Sequence, residues 1–442
     1  MMSKDSVHSY ALSGECVDLD TNQALTAHDI SILLSVAIFY LSSADGFICD
    51  IFASISLIDS SVWFIAITVT LVLTVVVRIP AIIRSVKASL LLEIMLLLAF
   101  AILIIHSASQ YAGIKTCEAM YSSMARSFLL FCLPAYCCFQ FVASCEQAKL
   151  ADVSPICVLI IITYLIHDLL FPQVVGEYSM GNAYSILPAL LFLIGSLVEN
   201  KTSKKSIVYA LTAIIGLILL VHYGTRGPLV FAVLFAVVLI AKRAIDQYRM
   251  KGAVIVAIAA ISGIMLLMLA EGLLSQWAND HTSASRIFYY LGRGEFFANS
   301  GRDWIAEASL KIIQENPNGV GIGGDRVLLA EARGRGLATV AGSYPHNILL
   351  ELIMQYGIAL GVIIIVLLAV LIVFTLIKNE TLSFSLVLAL VFCGLAPLFL
   401  SSSYIIWPYF WGLLAVCASC LERLVSSVGN HERAGNGQVS SV

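Results

Sequence analysis

The sequence predicts an all-α, polytopic integral membrane protein with about 12 transmembrane helices and one long polar loop containing short amphipathic helices. Three observations predict it. Apolar runs of about 17 to 25 residues, the length that crosses a bilayer as a helix, recur along most of the chain. Of the 442 residues, 60% are hydrophobic and 12% charged, against about a quarter charged in a soluble domain, so such a surface could not be wetted. Lysine and arginine gather in every second short connection, as the positive-inside rule requires.

The first 29 residues are polar and carry Asp5, Glu15, Asp18, Asp20 and Asp29. A secretory signal needs a basic start and an early apolar core, so residues 1–29 are expected to be an uncleaved cytoplasmic segment. Helices are expected near 30–48, 60–78, 88–107, 125–143, 153–170, 182–198, 206–222, 228–241 and 252–270, which together make residues 30–270 the first membrane region. Residues 271–345 form the loop, 346–420 carry helices near 347–377, 382–399 and 403–420, and 421–442 are a tail. The run from 347 exceeds one bilayer thickness, so its first turns are expected to stand above the hydrocarbon. Arg78, Arg84 and Lys87 share one short loop, Lys201, Lys204 and Lys205 another, and Lys242, Arg243, Arg249 and Lys251 a third. Each follows an even-numbered helix, which puts both termini in the cytoplasm and 271–345 outside.

No polar linker divides the chain, so one membrane domain is expected. The net charge of -3 offers no basic face and excludes nucleic acid as a partner. The 11 cysteines are scattered through apolar runs without metal-ligand spacing and read as small packing residues. Only Cys49 and Cys117 fall near the outer face, where a disulfide between them is disfavoured but open.

The exceptions to the charge rule point to function. Arg226, Arg286, Arg293, Arg302, Arg326, Arg333 and Arg335 all fall on the outer side. For most of the loop arginines the preferred reading is pairing with Glu295, Asp303, Glu307, Asp325 and Glu331. Arg226 differs. It sits in Gly224-Thr225-Arg226-Gly227-Pro228 between two apolar spans, with no acidic residue near it in sequence. A charge at membrane depth is costly and faces a polar cavity or a partner. Gly227 would permit a tight reversal and Pro228 suits a first helical turn. A fixed guanidinium there suits phosphate.

Within the loop, Ser300-Gly301-Arg302-Asp303 has capping-box spacing, with Asp in place of Glu. Trp304, Ile305, Ala308, Ile312 and Ile313 follow at helical spacing, with Glu307, Lys311 and Glu315 on the other face. This predicts an amphipathic helix ending at Asn316-Pro317-Asn318-Gly319, with Arg302 at its first turn. The glycine-rich stretch Gly321, Gly323, Gly324 lacks the Lys-Ser or Lys-Thr of a phosphate-binding loop and reads as a turn. Next comes Ser343-Tyr344-Pro345-His346-Asn347, running into Ile348, Leu349 and Leu350. Pro345 is expected at the first helical position and His346 in the first turn, where the helix dipole would keep the imidazole neutral and able to act as a base. Asn347 and Glu351 would share a face. From position alone, a histidine that caps or packs at the interface is the preferred reading.

These residues resemble the O-antigen ligase and O-antigen polymerase superfamily of bacterial envelope glycosyltransferases. Three motifs match in order: Thr225-Arg226-Gly227-Pro228; Ser300-Gly301-Arg302 through Glu315-Asn316-Pro317 to Gly319-Val320-Gly321-Ile322-Gly323; and Pro345-His346-Asn347 with Leu350-Glu351 and Tyr356-Gly357-Ile358. The resemblance covers about 206–377. It implies a multi-pass protein of the bacterial inner membrane that works on the periplasmic side. Such an enzyme transfers a glycan from undecaprenyl diphosphate to an acceptor hydroxyl with inversion, using no nucleotide sugar, metal or other cofactor. Implied partners are the lipid-linked donor, a glycan or lipid A-core acceptor, membrane lipid and, as an open case, a chain-length regulator.

On that resemblance His346, Arg226 and Arg302 are candidate catalytic residues: the histidine as base or orienter, the arginines for charge developing on the departing diphosphate. Arg286, Arg293, Tyr344, Asn347 and Glu351 are candidate substrate-binding residues. Phe288, Tyr289, Tyr290, Phe296 and Phe297 lie between Arg286 and Arg302 and could face sugar rings or fill the loop's core equally well. A polymerase, joining one lipid-linked repeat unit to another, is preferred because the Pro-His-Asn-Ile-Leu-Leu-Glu run and the glycine-rich turn look more like polymerases. A ligase acting on lipid A-core is the alternative, and a protein O-oligosaccharyltransferase a weaker third. From another class, a flippase would show interrupted helices in both halves, whereas here the charged motifs fall in the second half alone.

Overall fold

The computed structural model describes residues 26–56, 58–85, 88–144, 150–172, 180–199, 204–249, 302–334, 336–379 and 382–437. Among them every regular element is a helix. The expected span 252–270, Arg286, Arg293, Arg335 and the loop aromatics from Phe288 to Phe297 lie outside the described residues.

In chain order the helices are α1 (Ala27–Leu41), α2 (Ala44–Ile55), α3 (Ser60–Val76), α4 (Ile79–Ser85), α5 (Ala88–Ala108), α6 (Lys115–Ser127), α7 (Leu133–Ser144), α8 (Leu150–Leu170), α9 (Met180–Glu199), α10 (Lys204–His222), α11 (Arg226–Tyr248), α12 (Asp303–Glu315), α13 (Gly324–Ala332), α14 (Ile348–Lys378), α15 (Phe384–Leu395) and α16 (Pro408–Gly437). Among the described residues, 8 helices are long and apolar enough to cross a bilayer, or 9 if one bent pair counts as a span. The chain is therefore an all-α polytopic membrane protein.

Two expected spans change shape. The run near 30–48 breaks into α1 and α2, which meet at 72°. Ser42 and Ser43 stop the first helix, and Ser43 takes a left-handed conformation before Asp45 opens the next. The span near 125–143 begins ten residues earlier, at Lys115, because α6 continues through a π turn at Phe128–Cys132 into α7. Cys49 and Cys117 are both buried free thiols, so no disulfide joins them.

The core gathers around α9, which packs against α8, α10, α11 and α15 and buries Ile186, Leu187, Leu190, Leu191 and Phe192. By contrast α3 buries no residue. Most of its Val, Leu and Ile side chains face outwards, as a lipid-facing helix allows, while Ile67 and Leu71 pack against the core.

The outer layer is built on α12. It is amphipathic as expected: Ile312 and Ile313 are buried against Leu329 of α13 and Met354 of α14, while Lys311 and Glu315 face out 3.9 Å apart. The expected capping box is not what starts it. Arg302 is the N-cap residue and makes no side-chain cap, and Ser300 lies outside the described residues.

The glycine-rich turn docks on a break in α14. Gly357 has φ +81° and ψ 169°, which interrupts the helix nine residues after its start. The carbonyls of Met354 and Gln355, freed by that break, accept from the N–H groups of Val320 (2.9 Å) and Gly321 (3.0 Å). The N–H of Ile358 donates in turn to Pro317 O at 2.9 Å. Backbone meets backbone so closely that only glycine fits. A Cβ on Gly319 would lie 2.5 Å from Gly357 N, and one on Gly357 2.6 Å from Asn318 C.

Candidate active site

The site lies where the start of α14, the turn before α11, and the segment 396–404 meet. The start of α14 differs from the expectation. Asn347, not Pro345, opens the helix: its Oδ1 accepts from Leu349 N at 2.9 Å, which satisfies an otherwise unpaired N–H. His346 therefore precedes the helix rather than lying in its first turn, and it holds a left-handed backbone with φ +55°. Its imidazole is partly buried, and Nδ1 is sealed from solvent without a hydrogen-bond partner among the described residues. Burial, then the positive charges of Arg302, Arg326 and Arg333, push the imidazole down to a pKa of about 4. The neutral histidine expected from the helix dipole is thus obtained by other means.

Beside His346 runs a chain of contacts to the turn that carries Arg226, ending at Gly227. The Tyr344 ring lies 4.1 Å from the imidazole, centroid to centroid, and Tyr344 Oη donates to Ser401 O. Ser401 Oγ donates to Tyr184 Oη at 3.1 Å. Tyr184, from α9, sits against the start of α11: a Cβ on Gly227 would lie 3.0 Å from Tyr184 Oη and 2.5 Å from Leu400 Cδ1. Gly227 is needed for that close approach. The reversal itself is made by Gly224, with φ +69°, and not by Gly227 as the sequence suggested. Arg226 is the first residue of α11, Thr225 holds the N-cap position without a side-chain capping bond, and Pro228 lies in the first turn as expected.

Arg302, at the N-terminus of α12, is among the charges that depress His346. Contacts through Tyr184, Ser401 and Tyr344 link the Arg226 turn to His346, and Arg302 bears on His346 through its charge.

Behind His346 is a buried polar network that sequence reasoning missed. Glu351 is 1% exposed and accepts from Ser403 Oγ. Gln355, one turn on, donates to Asp325 Oδ1 at 2.8 Å and accepts from Tyr404 Oη at 2.6 Å, while Tyr356 and Tyr404 hydroxyls lie 3.0 Å apart. Burial pushes the Asp325 carboxyl up, and Arg326 beside it only partly pulls it back. Glu351 was singled out in the sequence, as sharing a face with Asn347, whereas Gln355 was not; the partners of both come from distant segments.

The expected ion pairing of the loop arginines is not found for those described. Among the described residues no carboxylate lies within ion-pair distance of Arg302, Arg326 or Arg333. Arg326 is 3% exposed and donates through Nη1 to Ala341 O at 2.7 Å, with its guanidinium 5.0 Å from the Tyr344 ring centroid. Arg333 lies over the Trp304 ring at 5.3 Å. A second polar group lies at the other flank of the Arg226 turn, where Asp168 is 3.8 Å from His167 Nδ1 and 4.0 Å from His222 Nε2.

The arrangement pairs a neutral imidazole with several guanidiniums, which suits an anionic substrate and a proton transfer. Comparison with known proteins agrees: residues 211–365 match the family model described as O-antigen ligase. The matched segment holds Arg226, Arg302, Arg326 and His346, and the resemblance noted in the sequence is borne out over it. No curated protein matches the chain.

Proposed function

Taking as premise that residues 211–365 carry an O-antigen ligase family segment, we propose that this membrane protein is a polymerase of lipid-linked surface glycan. It moves a glycan from undecaprenyl diphosphate to a hydroxyl of another lipid-linked repeat unit, on the periplasmic side of the inner membrane. The observation that supports a glycosyl-transfer site, for polymerase and ligase alike, is His346 against Tyr344, whose ring also meets Arg326 and whose hydroxyl reaches the segment packed on the Arg226 turn; the preference for a polymerase rests on the sequence motifs.

In the reaction the bond from the anomeric carbon to the diphosphate oxygen breaks and its electron pair leaves with the diphosphate. The acceptor oxygen attacks from the opposite side, giving inversion. His346 takes the acceptor's proton as the new bond forms. Arg226 and Arg302 offset the charge gathering on the diphosphate. The histidine is a weak base while the site is empty of anion. A diphosphate beside the same guanidiniums supplies negative charge that raises the imidazole pKa, so the base strengthens when the donor is in place. Asn347 is occupied as a helix cap and Glu351 by Ser403, so both support the position of His346.

Deleting the gene and separating the host's surface polysaccharide on a gel tests the reading. Loss of long chains, with a single repeat unit still on the core, is the expected result. Bare core with polymer retained on its carrier would make the protein a ligase instead, and an unchanged ladder would sink both. Arg226→Ala should lower product formation about 10²–10³-fold while the protein stays in the membrane.

A further inference from the structure

His346 keeps a left-handed backbone that a non-glycine residue holds only where its surroundings over-determine it. Those surroundings are layered. The Arg326 guanidinium lies 5.0 Å from the Tyr344 ring centroid, and the ring lies 4.1 Å from the imidazole at a tilt of 45°. The outer two layers are tied down independently, Tyr344 to Ser401 O and Arg326 to Ala341 O.

We propose that Arg326 and Tyr344 act as a positioning pair for His346, the guanidinium fixing the ring and the ring fixing the imidazole. The inference rests on the reading of His346 as the base. A buried guanidinium without an ion pair is costly, and an apolar side chain could fill the space without that cost. What an apolar residue could not supply is a cation–π contact that orients the ring and a fixed positive charge beside the histidine. The cations whose charge bears on the imidazole are Arg302 at the start of α12, Arg326 in α13 and Arg333 just past its end; Asp325 and Glu351 are the carboxylates on which the Arg326 charge acts. Of the cations, Arg326 alone is buried and in contact with Tyr344.

The test is steady-state transfer by the full-length protein in lipid vesicles, with a lipid-diphosphate-linked glycan as donor, across a range of pH. Arg326→Gln should lower kcat about tenfold or more with the donor KM little changed, and should move the acidic limb of the profile to higher pH, because loss of the cation makes the imidazole easier to protonate. Arg326→Lys should restore the position of the limb. Tyr344→Leu, which removes the ring, should lose turnover as Arg326→Gln does, and Tyr344→Phe, which keeps the ring but loses the tie to Ser401 O, should lose less than Tyr344→Leu. The double variant should be no worse than either single one, since both act through one stack.

Wild-type turnover in Arg326→Gln and Tyr344→Leu, with His346→Ala inactive, overturns the positioning role and leaves the base intact. Wild-type turnover in His346→Ala removes the reading beneath it. A raised KM at unchanged kcat would make Arg326 a substrate ligand and also overturns the proposal. Should Arg326→Gln fail to reach the membrane, Tyr344→Leu decides: a fall in kcat at unchanged KM and thermal midpoint supports the pair, and wild-type kcat overturns it.

Discussion

The two parts of α14 on either side of Gly357 are read by hydropathy as one apolar run, yet they do opposite things. Before the glycine, Ile348, Glu351, Leu352, Met354 and Gln355 are buried against α12, α13 and the segment 403–404. After it, Ile363, Val366, Leu367, Val370 and Ile377 are each more than half exposed. The first part builds a site, and the second turns one face to lipid while Ile372 and Thr375 on the other stay buried. In a membrane protein, hydrophobicity marks where a chain can sit, and the scattered polar residues mark where it is packed.

That contrast can be broken at several points. The largest effect is expected just ahead of the first part: His346→Ala should lower transfer by about 10²–10⁴-fold, the usual worth of a general base. Product within a factor of about ten of wild type would place the chemistry elsewhere. The pH profile comes next. A histidine depressed to about 4 stays in its base form as pH falls through the ordinary histidine range, so kcat/KM should hold until pH approaches 4. The acidic limb of kcat, which reports the donor-bound enzyme, should lie at higher pH; coincident limbs would remove the proposed strengthening of the base.

Smaller effects concern stability. Gly357→Ala combines a left-handed φ with a backbone collision, and should lower the thermal midpoint by the equivalent of about 1–3 kcal/mol. Gly321→Ala shares the φ but meets nothing within 4 Å, so it should cost less, about 1–2 kcal/mol. Equal losses would show that strain alone matters and that the close crossing does not. Val366→Ala, on the lipid side, should change the midpoint by under about 0.5 kcal/mol.

Much of this was legible in the sequence, and the misreadings have physical causes. Spans emerged because length and hydropathy suffice for them, and α12 because its apolar residues keep helical spacing while Glu307, Lys311 and Glu315 fall between. The bend after Leu41 was missed since Ser42, Ser43 and Asp45 interrupt the run too briefly to lower its average. Ion pairing was preferred for most of the loop arginines because acidic residues such as Asp325 lie near them in sequence, and Arg326 is not so paired among the described residues. Neighbours on a helix point about 100° apart, and side chains three or four apart are the ones that meet. Tyr184, Ser401 and Ser403 carried no signal at all, since each matters only through a contact with a segment far along the chain. His346 was visible as a residue type at a helix start, but its backbone conformation depends on Asn347 taking the cap and Tyr344 taking the ring face.

The crossing of Gly319 and Gly357 also bears on how α14 meets the membrane. Bilayers differ in thickness, and a long span meets that difference by tilting. Were α14 one uninterrupted rod, each degree of tilt would swing His346 relative to the arginines around it. The ladder of hydrogen bonds stops at Gly357 and passes to the outer turn instead. The short helix above the break is thereby tied to the outer turn as well as to the shaft, so the position of the site is not set by the tilt of the shaft alone.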